Sequence, residues 1–263
     1  MIPYPDIDPV AVNLGFLKVH WYGITYVVGI LAAWYLLRFR GNNEQWGYSS
    51  EQVSDLIFYA MLGIIIGGRL GSVIFYNLPY YLQHPIEVIY LQQGGMSFHG
   101  GLLGVLVAVW FFCHKFNKHF FNVTDFIAPV VPLGLGAGRI GNFINGELWG
   151  GPSNLPWAMI FPDPAAGGIA RHPSQLYEAL LEGLLLFVIL WWFSSKPRPA
   201  MAISGLFLFG YGVFRFMVEF VRVPDAHIGY LAFDYVTMGM LLSAPMILFG
   251  IILFGIAFRA KGD

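Results

Sequence analysis

The chain has little charge and almost no cysteine. Only 11% of its 263 residues are Asp, Glu, Lys or Arg, whereas ordinary soluble domains contain about 25%. The formal net charge of −1 gives no indication of nucleic-acid binding. Cys113 is the only cysteine, which excludes an intramolecular disulfide and a cysteine-rich metal site. GxSxG, HExxH and P-loop motifs are also absent from the sequence, so the enzyme classes that they mark are excluded.

Hydrophobic residues are abundant instead, at 57% of the chain, and the mean hydropathy is +0.64. Apolar runs recur at about 20 residues, the length that an α-helix needs to cross a bilayer. The sequence therefore predicts an all-α polytopic membrane protein, a single integral domain over 1–263, without internal repeats. We place its seven spans at 20–38, 53–77, 95–113, 124–142, 175–193, 201–221 and 236–258.

Lysine and arginine are distributed unequally between the two sides of the predicted membrane. Eight lie on the side of the 1–2, 3–4 and 5–6 connections and the C-terminus, and four on the opposite side. Because basic residues are retained in the cytoplasm, this asymmetry predicts a periplasmic N-terminus and a cytoplasmic C-terminus. The longest outer connection, 143–174, is rich in Pro and Gly, and we expect a small irregular periplasmic cap there.

Arg139 lies in a glycine-rich apolar run, LGLGAGRIGNFINGELWG, together with Asn142, Asn145 and Glu147. A charge at membrane depth costs several kcal/mol unless a partner, water or a ligand offsets it. Glycine lets backbone approach a ligand or a neighbouring helix closely. Arginine and amide donors together favour a phosphate site, and the alternative is tight helix packing beside a snorkelling arginine.

Arg215 lies within a second apolar run, with Tyr211 before it and Glu219 after it at spacings of four. Residues at this spacing share one helix face, so Glu219 can neutralise Arg215 in an empty site. A purely structural buried ion pair is the alternative.

Two further polar residues have functional and structural interpretations that the sequence leaves open. His99, in GGMSFHGG, could be a general base near neutral pH or a histidine satisfied at the interface. No second ligand stands beside it at metal-binding spacing. Tyr22, in HWYG, could line a cavity or belong to an aromatic belt.

The remaining polar positions favour structural roles. His172, Glu178 and Glu182 begin the fifth span and are interpreted as helix-end and packing contacts. We assign Arg69, in GGRLG, a secondary electrostatic or structural role, and Cys113 inert packing.

Nearly all of these residues fall in the outer half of the predicted membrane, which suggests one polar cavity facing outward. Two classes fit such a cavity: a lipid head-group transferase, and a membrane transporter or binding protein for an anionic solute or lipid. The missing repeat and the one-sided cluster favour the transferase. A retinal-type receptor is disfavoured because 236–258 contains no lysine.

With these residues considered, the chain resembles the bacterial prolipoprotein diacylglyceryl transferases. GRIGNFINGELWG at 138–150 is similar to that family's signature. Similar blocks occur in the family's order over nearly the whole chain: HWYG at 20–23, GGMSFHGG at 94–101, DFIAPVVPLGLGAGR at 125–139, RHPSQLYE at 171–178 and GYGVFRFMVEFVRVPD at 210–225.

The resemblance implies transfer of the diacylglyceryl group of phosphatidylglycerol to the lipobox cysteine of a prolipoprotein, the first step of lipoprotein maturation. It implies the bacterial inner membrane, a site facing the periplasm, and no cofactor or metal. The implied partners are phosphatidylglycerol, prolipoprotein signal peptides and membrane lipids, without nucleic acid. The implied catalytic residues are His99, Arg139, Arg215, Tyr211 and Glu219, with His99 the preferred base over Tyr211 or Glu219. The implied lipid-binding residues are Tyr22, Arg139, Asn142, Asn145, Glu147, Gly150 and Arg215.

Overall fold

The computed structural model is mostly helical, and it describes residues 2–5, 7–15, 18–91, 94–224, 229–233 and 235–259. Its strands are β1 (Val10–Asn13), β2 (Lys18–His20), β3 (Met159–Ile160) and β4 (Ala170–Arg171). Its α-helices are α1 (Trp21–Gly41), α2 (Ser50–Tyr76), α3 (Leu78–Gln83), α4 (Phe98–Phe116), α5 (Phe120–Ile127), α6 (Val131–Ile144), α7 (Ser174–Glu178), α8 (Leu186–Phe193), α9 (Ala202–Glu219) and α10 (Met238–Arg259).

Seven helical segments of the described chain are long and apolar enough to cross a membrane, which confirms the predicted fold class. They are Trp21–Gly41, Ser50–Tyr76, Phe98–Phe116, Phe120–Ile144, Ser174–Phe193, Ala202–Glu219 and Met238–Arg259. The largest boundary difference is at the fourth segment, which is predicted from 124 and begins at Phe120. Outside the spans, β1 pairs with β2 and β3 with β4 in two short antiparallel hairpins that the all-α class omits.

Local sequence explains where the better-defined helices begin and end. Ser49 and Gln52 form a reciprocal capping box at the start of α2. Ser97 caps α4 by accepting a hydrogen bond from Gly100 N, and Asn117 ends that helix in the left-handed conformation.

Two of the spans are not continuous α-helices. The fourth passes from α5 through a 3₁₀ turn, Ala128–Val130, into α6, with Pro129 and Pro132 at the junctions. Proline lacks a backbone N–H donor, so a regular α-helix cannot pass through both positions undisturbed. The fifth span contains a π-helical turn, Ala179–Leu185, between α7 and α8. Such turns are frequent at functional sites because they shift the face on which side chains lie.

The chain divides into two compact units, Met1–Leu36 with Ile127–Asp263, and Leu37–Phe126. In the second unit α2 packs on α4 through glycines. A Cβ added at Gly63 would lie 2.5 Å from Gly104 O, and one at Gly71 would lie 2.6 Å from Gly100 Cα. The backbones of these two helices therefore touch directly. In the first unit, α9 and α10 form the most extensive helix pair.

The segment between α6 and α7 has a small apolar core of its own. Phe143, Met159, Phe161 and Ala166 are buried together, and Tyr4, Trp149 and Leu176 pack against them. Arg171 joins two parts of this segment, because its Nε donates to Ala166 O at 2.7 Å and its guanidinium lies 4.2 Å from the Trp149 ring centroid. The outer location of this segment as a cap stays a prediction.

Candidate functional site

The glycine-rich motif forms α6 and the turn that follows it. Asn142, on α6, donates from Nδ2 to Glu147 Oε1 at 2.8 Å, and Asn145 Nδ2 lies 3.3 Å from the same oxygen. Both amides that the sequence offers as phosphate donors therefore also hold the Glu147 carboxylate, and their contact with a phosphate stays a prediction. The motif forms a connected polar turn beside Arg139.

This turn has an unusual backbone that the start of α7 stabilises. Gly146 and Leu148 have positive φ values of 70° and 60°. Leucine rarely adopts this region, so the surrounding contacts must compensate for the strain. Ser174 Oγ donates to Leu148 O at 2.9 Å, and Gln175 Nε2 donates to Glu147 O. These two fully buried residues fix the turn.

On α9, Arg215 and Glu219 form the ion pair that their spacing predicts. Thr237, just before α10, donates from Oγ1 to Glu219 Oε2. A Cβ at Gly239 would lie 2.8 Å from Glu219 Oε2. The Glu219 carboxylate is therefore confined between α9 and the first turn of α10.

Glu178 contacts all three arginines of the site. Its Oε1 accepts hydrogen bonds from Arg215 Nη1 and, at 2.9 Å, from Arg222 Nη1. Its Oε2 lies 3.2 Å from Arg139 Nε. Glu178 and Glu182 are interpreted from the sequence as helix-end and packing contacts, and the structure adds that both carboxylates form ion pairs with arginine.

Together these groups form what we call the arginine–glutamate cluster: Arg139, Arg215, Arg222, Glu178, Glu182 and Glu219. It contains three guanidinium groups and three carboxylates, so its formal charges cancel. The carboxylates are almost fully buried, with side-chain exposures of 0 to 3%, whereas the arginines are exposed by 9 to 20%. The arginine side chains are therefore the more accessible part of the cluster.

Arg139 and Glu182 are the least satisfied members of the cluster. Within the described residues neither carboxylate oxygen of Glu182 accepts a hydrogen bond, and Arg139 Nη2 lies 4.0 Å away. Arg139 has only this ion pair and the one to Glu178, and it donates no hydrogen bond to the part of the chain that is described. Since guanidinium has five N–H donors, Arg139 retains donors for a ligand.

Two tyrosines of α1 lie over the glycines of α6. Tyr22 packs so closely on Gly141 that a Cβ there would lie 2.7 Å from its ring. Its hydroxyl is 3.3 Å from that of Tyr26. Tyr211, on α9, is buried at 8% exposure and lies within electrostatic range of Arg139. The structure thus brings Tyr211 to the cluster, and it places Tyr22 on Gly141 of α6 beside Tyr26.

Gly150 is a packing position. A Cβ added there would lie 2.5 Å from Val221 O and 2.8 Å from His172 Cβ. Gly150 N donates to His172 O at 2.8 Å, and Gly150 pairs with Arg222 in an isolated β-bridge. Burial lowers the pKa of the His172 imidazole below its ordinary value, which favours the neutral ring at pH 7. Gly150 therefore positions the backbone around Arg222, and its contact with lipid stays a prediction.

His99, Arg69 and Cys113 belong to the second compact unit. His99 is exposed on the first turn of α4 beside Phe98. Cys113 is buried and free. Arg69 is 4% exposed and donates to the carbonyl oxygens of Val88 at 2.7 Å, Glu87 at 2.6 Å and Gly94. These contacts fit the structural role predicted for Arg69, and the catalytic role of His99 stays a prediction.

Sequence reasoning missed Tyr26, Arg222 and Thr237 and underestimated Glu178 and Glu182. The cost of a buried charge, applied to the two arginines, applies equally to two carboxylates inside the fifth span. That rule could have identified both glutamates. In the described chain no group of three or more His, Cys, Asp or Glu side chains is arranged to hold a metal ion.

The fold and the cluster define a polytopic membrane protein in which three arginines and three glutamates pair within one compact unit. The sequence profile of a known family, described as prolipoprotein diacylglyceryl transferase, matches residues 9–256. The chain belongs to this family, and the predicted class, a membrane transferase of lipoprotein biosynthesis, is confirmed.

Curated relatives match over nearly the full chain. The phosphatidylglycerol–prolipoprotein diacylglyceryl transferase of Azotobacter vinelandii is 60% identical over 264 residues, covering 99% of this chain and 98% of the relative. The protein of the same name from Methylococcus capsulatus is 59% identical over 262 residues, covering 99% of both. That from Pseudomonas fluorescens is 58% identical over 254 residues, covering 95% of this chain and 93% of the relative.

Proposed function

We propose that this protein transfers the diacylglyceryl group of phosphatidylglycerol to the thiol of the lipobox cysteine in prolipoproteins. Family membership supports the reaction, and the names of the relatives support the two substrates. The observation that carries the site assignment is the guanidinium of Arg139, whose donors are free of hydrogen bonds within the described residues. It lies in a cluster with two further arginines.

The reaction forms a C–S bond and breaks a C–O bond. The thiol sulfur attacks the lipid carbon that bears the phosphate oxygen, and that oxygen keeps the electron pair as glycerol phosphate leaves. The phosphate then changes from a monoanionic diester to a monoester with additional negative charge. A thiol has an ordinary pKa of about 8.5, so a base must take its proton for fast attack at neutral pH. No cofactor is needed for these steps.

Arg139 and Arg215 are assigned to the phosphate. Charge grows on this group in the transition state, and fixed guanidinium donors in a water-poor site stabilise such charge strongly. Glu178 pairs with Arg139, and Glu219 pairs with Arg215. We assign Tyr22, Asn142, Asn145, Glu147 and Gly150 to the remainder of the lipid site, where the Glu147 carboxylate and its amide partners can accept and donate hydrogen bonds.

His99 is assigned as the general base. It is exposed at the start of α4, where a substrate can reach the imidazole. The assignment predicts that His99→Gln lowers the transfer rate at neutral pH and removes the acidic limb of the pH–rate profile. A retained rate with an unchanged acidic limb would instead favour Tyr211 or Glu219 as the base.

We place the protein in the bacterial inner membrane as one integral domain, with the site toward the periplasm. The eight-to-four asymmetry of basic residues supports this orientation. In this arrangement the segment 143–174 forms a periplasmic cap next to the site, where it can meet the prolipoprotein.

The test uses purified protein in detergent micelles with phosphatidylglycerol and a synthetic lipobox peptide. Mass spectrometry should show peptide carrying one diacylglyceryl group in thioether linkage, with an equal amount of glycerol phosphate released. A peptide with serine in place of the cysteine is the control and should stay unmodified. Absence of transfer in micelles, together with solute movement across intact vesicles, would overturn the proposal and favour a transporter.

A further inference from the structure

The second tyrosine of α1, Tyr26, lies one helical turn from Tyr22 on the same helix face. The two rings meet edge to face with centroids 5.0 Å apart, and their hydroxyl oxygens are 3.3 Å apart. The Tyr22 ring also packs on Gly141 of α6. The two tyrosines of α1 therefore lie along the glycines of α6, with Tyr22 over Gly141 and Tyr26 over Gly138.

The end of the Tyr26 ring lies over Gly138, the residue just before Arg139. A Cβ added at Gly138 would lie 3.0 Å from Tyr26 Oη and 3.2 Å from Cζ. Nearly any side chain at this position would push the hydroxyl away. The glycine thus allows a phenol hydroxyl to lie directly beside the backbone that carries Arg139, and the two side chains are in electrostatic range.

The hydroxyl of Tyr26 has unused hydrogen-bonding capacity. A phenol has one donor and two acceptor lone pairs, and in the described chain the Tyr22 hydroxyl is its hydrogen-bond partner. Tyr26 is 42% exposed, whereas Tyr211, the other tyrosine near Arg139, is 8% exposed. A ligand held by Arg139 can therefore reach Tyr26 more readily than Tyr211.

We propose that Tyr26 is a further substrate-contacting residue, whose hydroxyl donates a hydrogen bond to the lipid phosphate held by Arg139. This inference rests on the proposed function. Arg139 supplies the positive charge, and Tyr26 supplies a directional donor from the opposite helix. The Tyr26 hydroxyl then donates to the phosphate and can still accept a hydrogen bond from the Tyr22 hydroxyl. The same hydrogen bond strengthens as charge grows on the phosphate.

The decisive variant is Tyr26→Phe, because phenylalanine keeps the ring over Gly138 and removes only the hydroxyl. Tyr35→Phe is the matched control, since Tyr35 lies on the same helix and is 69% exposed. We expect kcat/KM for phosphatidylglycerol to fall about 10- to 100-fold in Tyr26→Phe, with the KM for the lipobox peptide and the melting temperature unchanged. Tyr35→Phe should match the wild type.

A second variant tests the geometry independently. Gly138→Ala should also lower kcat/KM for the lipid, and combined with Tyr26→Phe it should cause less additional loss than it causes alone. Equal kcat/KM for Tyr26→Phe and the wild type would overturn the inference while leaving the proposed function intact. A wild-type protein without any transfer activity would instead overturn the proposed function.

Discussion

Two arginines, Arg69 and Arg139, lie in similar apolar spans but have different partners. Arg69, in the second compact unit, donates to backbone carbonyls of Val88, Glu87 and Gly94. Arg139, in the first unit, faces the carboxylates of Glu178 and Glu182 without donating a hydrogen bond to a described residue. The Arg69 guanidinium donates hydrogen bonds to neutral acceptors, whereas the Arg139 guanidinium is held only by ion pairs to carboxylates.

This difference separates a structural arginine from a ligand-binding one. Backbone carbonyls belong to the fold and cannot be exchanged for another anion without local unfolding. A carboxylate held through ion pairs can share its arginine with a phosphate, since both anions match the guanidinium geometry. We therefore expect substitutions of Arg69 to change stability and substitutions in the arginine–glutamate cluster to change transfer.

The largest effect should follow loss of either phosphate-binding arginine. Arg139→Ala and Arg215→Ala should each lower kcat/KM for transfer by about 10²- to 10³-fold, since removal of one such electrostatic donor costs about 3–4 kcal/mol. The folded protein should still accumulate in the membrane. Near-normal transfer by both purified variants would show that the phosphate binds elsewhere.

Loss of the Glu178 carboxylate, which contacts all three arginines, should cause the next largest fall in kcat. Glu178→Gln leaves Arg139, Arg215 and Arg222 with one fewer neutralising charge, and we expect kcat to fall about 100-fold. Glu182→Gln removes a carboxylate that accepts no hydrogen bond in the described chain, so it should cost only a few-fold. Transfer assays on both variants compare them directly. Equal losses would contradict the central position of Glu178.

Moving the Glu219 carboxylate without changing its charge should lower kcat by a smaller factor. Gly239→Ala places a methyl group against Glu219, which must move away from Arg215. We expect about a 10-fold loss of kcat. Gly255→Ala is the matched control on α10, because no atom of the described residues lies within 4 Å of its added Cβ. If both variants have the same kcat, the confinement of Glu219 has no role in transfer.

Substitution of Arg69 should have the smallest effect on transfer per folded molecule. Arg69→Met removes several hydrogen bonds to carbonyls, each worth about 1.5–3 kcal/mol when the donor is charged. The melting temperature should fall by about 5 °C or more, while kcat per folded molecule changes less than about threefold. Thermal unfolding followed by fluorescence, with active-site titration, measures both. If Arg69→Met instead loses most of its kcat at an unchanged melting temperature, Arg69 is not a structural arginine and does not differ from Arg139 in role.

The parts of the structure that depend on local sequence could be predicted. Apolar runs of membrane length located all seven spans to within a few residues. Spacing of four along one helix predicted the Arg215–Glu219 pair, because residues at that spacing are neighbours on every α-helix.

Interactions between distant segments could not be predicted in this way. Glu178 meets Arg215 and Arg222 from another helix, and helix spacing carries no information on which helices pack together. Glu182 lies in the π-helical turn, which shifts it from the helix face that regular α-helical periodicity predicts.

The sequence predicts that Asn142 and Asn145 donate to a phosphate. In the structure both also donate to Glu147, only a few residues along the chain.

Phosphorus NMR of phosphatidylglycerol titrated with the protein in micelles shows whether Arg139 holds the lipid phosphate. We expect a distinct resonance of bound phosphate with the wild type and with Arg69→Met. We expect that resonance to be lost with the folded Arg139→Ala variant. A bound resonance that persists unchanged in Arg139→Ala would contradict the assignment of the phosphate to the arginine–glutamate cluster.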